Sequence, residues 1–214
     1  MRHGLLFDCD GVLVDTERAN YFSYLAALKT ALGESVCSTF TPQAYSQVWG
    51  KPWREWLPSL AFDAADKVHR LKVNHYADCL CRYATILPGL DAMAYWLSLG
   101  VPVAIVSNAS ASSIRSVVSW IAQQRNFTDI GHACSVTLSN VPIITPTGDI
   151  PPKPDPAIIW EACARLCVNS GILIDDDWAI GMMTAKQAHI HFIHYPLDSQ
   201  DCGALNEQIE RLLG

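Results

Sequence analysis

Two carboxylates stand two residues apart in Asp8-Cys9-Asp10-Gly11, and a glycine follows the second at once. The stretch comes straight after the apolar run Gly4 to Phe7, so both acids fall at the end of a strand and can face one cleft. Glycine at that point lets the backbone turn sharply beside a ligand. Two carboxylates in unlike environments can divide the work, one ionised as nucleophile or ligand and the other carrying a proton as acid or base. A calcium loop also uses closely spaced aspartates, but a glycine directly after the second acid does not match EF-hand spacing. Two further apolar runs end in polar groups, Val101 to Ser107 and Gly171 to Asp175. Asp8, Ser107 and Asp175 at three strand ends mark a catalytic site.

Those runs, with Ile190 to Tyr195, are continuous rather than alternating, the pattern of parallel strands buried on both faces. Between and after them lie helical segments at Leu90–Leu99, Ser112–Gln123, Ala157–Cys167, Ala179–Ala188 and Ala204–Leu213. Strands alternating with helices predict an α/β fold with a doubly wound parallel sheet, whose ligands bind beyond the carboxyl ends of the strands. Residues 16–85 break the alternation and read as helices only: Glu17–Leu32, Thr41–Val48, Pro52–Leu60 and Ala64–Tyr83. The chain therefore divides into a core, 1–15 with 86–214, and an inserted helical cap, 16–85. The cap holds 8 basic and 6 acidic side chains, the core 7 and 15. A net of +2 against −8 suits a core that holds a metal ion and a cap that meets an anion.

The order of these residues resembles the haloacid dehalogenase-like (HAD) superfamily, in its phosphoglycolate phosphatase and β-phosphoglucomutase branch. Asp8-Cys9-Asp10-Gly11 is similar to the D-x-D-G motif of its phosphotransferases. Ser107-Asn108 stands where the family has Ser or Thr after a later strand. Lys153-Pro154-Asp155-Pro156 is similar to its lysine motif, and Asp176-Asp177 ahead of Gly181 to its acidic pair. Three acids in a row, Asp175 to Asp177, leave that register open by one, and counting back from Gly181 selects Asp176 and Asp177. The inserted helices resemble the lid of this branch.

The resemblance implies a phosphatase acting on a small phosphorylated metabolite, with a sugar phosphomutase as the alternative. It implies Asp8 as nucleophile and Asp10 as acid and base. Mg²⁺ would be held by Asp8, the Asp10 carbonyl and Asp177, with Asp176 close by. Lys153, Ser107 and Asn108 would bind the phosphoryl oxygens. The chemistry agrees, since a phosphate dianion repels a carboxylate and positioning plus charge neutralisation is most of what phosphoryl transfer needs. An acid at Asp10 also argues against carbon–halogen cleavage, because a departing halide needs no proton. Asn20 stands where relatives often carry a His; Asn cannot pass a proton, which weighs against the mutase. In the cap, Trp49-Gly50-Lys51-Pro52-Trp53-Arg54 stands at the place of a substrate-reading loop, with Lys51 and Arg54 as substrate contacts and the tryptophans as packing.

Half of the 214 residues are hydrophobic and 17% are charged, enough apolar chain for a sizeable core and too much for disorder. The formal charge of −6 is unsuited to wrapping nucleic acid. No apolar run reaches the ~18–20 residues of a membrane span. The start shows no signal core, so a cytoplasmic protein is expected, monomeric by default at this size. Eight cysteines without zinc-knuckle spacing are expected to be reduced and mostly buried. His189, His191 and His194 near the last strand are expected to be structural.

Overall fold

The computed structural model describes residues 3–124 and 138–214. In chain order, β1 (His3–Phe7) and β2 (Val14–Asp15) lead into α1 (Glu17–Leu32), α2 (Pro42–Ser46), α3 (Trp53–Ala61) and α4 (Ala65–Tyr83). Next come β3 (Thr85–Ile86), α5 (Pro88–Ser98), β4 (Val103–Val106) and α6 (Ala111–Gln124). Then follow β5 (Ile143–Ile144), α7 (Ala157–Leu166), β6 (Ser170–Asp175), α8 (Trp178–Ala188), β7 (His191–His194) and α9 (Cys202–Leu213). Contacts divide the chain into two compact units, Met1–Asp15 with Thr85–Gly214, and Thr16–Ala84.

The first unit is built on a parallel sheet of order β5-β4-β1-β6-β7. β1 lies at its centre, hydrogen-bonded on both sides, which is why Leu5, Leu6 and Phe7 are all fully buried. Leu6, Ala104, Val106 and Leu173 face one way and pack with Ile158, Ile159 and Ala162 of α7 and Ala185 of α8. Alternation sends Leu5 and Phe7 to the other face, and α9 packs on α5, with Trp96 donating its indole N–H to Asn206 Oδ1 at 2.9 Å. Val14–Asp15 and Thr85–Ile86 pair as a short antiparallel ribbon. That ribbon and β5 have no signature in the sequence, because two residues are too few to show a period.

The second unit is helical. α1 and α4 pack along their lengths, and an aromatic cluster of Tyr24, Phe40, Tyr45 and Trp56 fills the space beside them. Phe40 and Trp56 stack at 6.1 Å, and Tyr24 meets Trp56 edge-on at 4.9 Å. α2 starts as its sequence predicts, with the Thr41 hydroxyl accepting from Ala44 N and proline in the first turn. No helix among the described residues is long and apolar enough to cross a membrane. The cysteines depart from expectation in one respect. All six described are free thiols, but only Cys9 is buried, while Cys81 and Cys167 are exposed on the outer faces of helices and turns.

Candidate active site

The site grows from the carboxyl end of β1. Asp8 N donates to Ile174 O at 2.8 Å, so the β1–β6 ladder runs one residue past the strand and sets Asp8 level with Asp175. Between them lies a buried ammonium, Lys153 Nζ, 2.6 Å from Asp175 Oδ2 and 3.2 Å from Asp8 Oδ1. A lysine this buried needs such partners, since an unpaired charge out of water is costly. Lys153 comes from a loop, and the loop is held by the neighbouring strand end. Asn108 Oδ1 accepts from Lys153 N at 2.7 Å, and Asn108 Nδ2 donates to Lys153 O at 3.0 Å. Expected as a phosphate contact, the Asn108 side chain is thus a two-point clamp on the lysine's backbone. Ser107 is buried beside it, its hydroxyl accepting from Ala109 N at 3.1 Å.

Gly11 is required twice over. Its φ is +80°, which costs side-chain-bearing residues about 1–2 kcal/mol, and a Cβ there would stand 2.2 Å from Asp176 Oδ2. The turn after Asp10 therefore lies directly on the Asp176 carboxylate. Gly11 N closes this turn by donating to Val14 O at 2.9 Å.

The acidic triplet resolves by backbone position. Asp175 ends β6, and its Oδ1 accepts from Asp177 N at 3.0 Å while Oδ2 takes Lys153. Asp177 is the N-cap of α8, its Oδ1 accepting from Ile180 N at 2.9 Å. Asp177, expected at a metal, spends this oxygen on its own helix. Carboxylate oxygens of Asp8, Asp175 and Asp176 lie within 4.8 Å of one another, and Asp177 is turned to its helix instead. Counting back from Gly181 selects Asp176 and Asp177, of which Asp176 lies in this cluster. That glycine is set by packing, since a Cβ would lie 2.6 Å from the Phe192 ring and 2.9 Å from Asp175 Cβ.

Asn20, Lys51 and Arg54 belong to the helical unit. Asn20 Nδ2 donates to Thr16 Oγ1 at 3.1 Å in the first turn of α1. Lys51 is exposed ahead of α3. Arg54 is exposed too, its guanidinium 4.4 Å from the Trp53 ring centroid, and Trp53 stacks on His69 at 4.3 Å. Trp49 and Trp56 join the aromatic cluster, as tryptophans at helical spacing are expected to.

Charge is unbalanced where the carboxylates meet. Burial pushes Asp8 well above the usual carboxylate value; Lys153 opposes this, while Asp175, Asp10 and Asp176 add to it. Asp176 is pushed up to about 6, by burial first and then by Asp175. Burial alone would lower Lys153, yet Asp8 and Asp175 outweigh it and hold the ammonium above its ordinary value. Among the described residues Lys153 is the cation that acts on Asp8, Asp175 and Asp176 together. Asp8 Oδ1 is buried, with the Lys153 ammonium 3.2 Å away. With both oxygens of Asp175 engaged, Asp8 and Asp176 are the carboxylates best able to offer oxygen to a cation. An all-oxygen donor set with excess negative charge fits a hard divalent ion.

The family model for haloacid dehalogenase-like hydrolases matches residues 3–189. The chain belongs to this family. Solved structures of the same fold include CbbY from Rhodobacter sphaeroides in complex with phosphate. Its TM-score is 0.68 at 19% identity, over 92% of this chain and 87% of that one. A mutant of CbbY in complex with xylulose-(1,5)bisphosphate aligns with TM-score 0.68 and 18% identity over the same shares. A family IA, variant 3 HAD hydrolase from Entamoeba histolytica gives 0.68 at 16%, over 98% and 89%. Among curated proteins, none matches the chain. In this HAD-like hydrolase the residues gathered at the strand ends are Asp8, Ser107, Lys153, Asp175 and Asp176. The pairing of Asp175 with Lys153 and the clamp by Asn108 were not legible beforehand. The one available signal was the triplet of acids itself.

Proposed function

We propose that this HAD-like hydrolase is a Mg²⁺-dependent phosphatase of small phosphorylated metabolites, working through an aspartyl-phosphate. The observation that carries the proposal is Lys153, a buried ammonium within 3.2 Å of the Asp8 carboxylate, beside an acidic cluster with excess negative charge. Mg²⁺ would be held by the Asp8 and Asp176 carboxylates and the Asp10 carbonyl, and when bound it supplies positive charge against the phosphoryl oxygens. Asp8 Oδ attacks phosphorus in line; the new Asp8 O–P bond forms as the ester P–O bond breaks. Asp10 gives its proton to the departing alkoxide, then takes one from the water that displaces the phosphoryl group from Asp8. Lys153 and the Ser107 hydroxyl stabilise the charge on the transferring oxygens. Asp177 contributes by capping α8.

The helical unit is, in this proposal, the cap that selects the substrate, with exposed Lys51 and Arg54 supplying charge to its distal groups and Asn20 a polar contact. CbbY is known in complex with phosphate and with a sugar bisphosphate, which makes sugar phosphates the first compounds to try. The test is phosphate release from a panel of phosphomonoesters, with Mg²⁺ and with chelator, for wild type beside Asp8→Asn. Metal-dependent release lost in the variant is the expected result. Absence of release from every ester, or a wild-type rate in Asp8→Asn, would overturn the proposal.

A further inference from the structure

The chain segment that leaves β7 makes three hydrogen bonds to the main chain of the two acidic loops. The His194 Nε2–H donates to Asp176 O at 3.0 Å, and Tyr195 N donates to Asp175 O at 3.0 Å. Gln200 Nε2 donates to Gly11 O at 2.5 Å and lies 3.4 Å from Tyr195 O. Carbonyls only accept, so the histidine carries its proton on Nε2 and the glutamine turns its NH₂ end inward. Gln200 Oε1 is left buried with no partner. An orientation that strands one acceptor persists only where the donor end is worth more. The His194 ring is held in place from the side, 5.5 Å from Trp178 and 6.4 Å from Phe192.

Gly11 and Asp176 are the points where the two loops touch, the Gly11 backbone lying on the Asp176 carboxylate. A bond to each on its far side therefore sets the separation of the Asp10 carbonyl from the Asp176 carboxylate. We infer that His194 and Gln200 are positioning residues that brace the metal-holding loops from behind. This rests on the metal centre proposed above. Both residues lie beyond residue 189, outside the stretch that the family model matches. Each acts through a backbone carbonyl without touching substrate. Groups behind a metal's ligands commonly change its affinity about 10–100-fold.

The variants are Gln200→Met, which keeps length but has no N–H, and His194→Phe, which keeps the ring between its neighbours but has no Nε2–H. Mg²⁺ affinity of the full chain is measured by calorimetry, alongside kcat and KM for p-nitrophenyl phosphate at saturating Mg²⁺ and the unfolding midpoint in chelator. Each variant is expected to bind Mg²⁺ about tenfold more weakly, with KM within about twofold of wild type at saturation. Gln200→Glu, which keeps the shape and replaces the donor with an acceptor, gives the same readout should Gln200→Met fold poorly. A lowered midpoint with unchanged Mg²⁺ affinity and kcat overturns the brace and leaves the metal centre standing. Wild type that binds no Mg²⁺ overturns the metal centre and the brace together.

Discussion

Replacing Lys153 with Met removes an ammonium that lies 3.2 Å from Asp8 and 2.6 Å from Asp175 while keeping most of its volume. All three side chains are buried, so two carboxylates are left out of water without their counter-ion. Breaking a buried pair in this way costs about 3–5 kcal/mol. For a chain of this size that lowers the unfolding midpoint by roughly 10 °C, at about 2–4 °C per kcal/mol. The loss depends on pH with a defined sign. Burial, Asp175, Asp10 and Asp176 all raise Asp8, and Lys153 opposes them. Without it, the folded protein holds a proton that the unfolded chain has released, so stability falls as pH rises, by up to ~1.4 kcal/mol per unit. The gap from wild type is thus smaller at pH 5 than at pH 8. Urea unfolding in chelator at the two pH values measures it, with Lys153→Met/Asp8→Asn as control. The double variant carries one buried charge fewer and is expected to recover part of the loss. A deficit that is independent of pH, with no recovery in the double variant, would refute the account of Lys153 as a counter-ion.

Other outcomes follow from the same geometry. Asp176→Ala is expected to raise the Mg²⁺ needed for half-maximal phosphate release by at least tenfold, while Asp177→Ala, which removes the N-cap of α8, costs about 1 kcal/mol of stability and leaves that requirement near wild type; metal titrations of the two variants decide between these residues. Gly11→Ala is expected to lose about 1–2 kcal/mol from its positive φ alone and to weaken metal binding further by displacing Asp176, read by denaturation in chelator and by calorimetry. Because Asp176 is pushed up to about 6, a cation competes with a proton below that value, so Mg²⁺ affinity should strengthen from pH 5 to pH 6 and level off toward pH 7; affinity that is flat across pH 5–7 would count against Asp176 as a ligand. In the folded protein an alkylating reagent should modify Cys81 and Cys167 well before Cys9, which is buried with its thiol pushed up; peptide mapping gives the order.

Much of this enzyme is local in origin and therefore legible in one dimension. Continuous apolar runs of four to six residues, bounded by turn or polar residues, suit strands of a sheet covered on both sides, and each such run led to a strand. The acids and the serine at the ends of those runs came together because parallel strands end on one edge, a consequence of topology rather than of any single contact. Thr41 and Pro42 marked a helix start for the same reason, their chemistry acting on their own neighbours. What the sequence could not decide were choices among equivalent residues. Asp175, Asp176 and Asp177 are chemically alike, and only the β6–β7 register and the start of α8 make the first a lysine partner, the second a neighbour of Gly11 and the third a cap. Asn108 likewise carries the right atoms for a phosphate but spends them on Lys153, 45 residues away. His194 and Gln200 reach Asp176 and Gly11 across 18 and 189 residues. Periodicity and spacing report interactions within a few turns of chain. Which of several like groups meets a distant partner is settled by where the folded backbone leaves room for it.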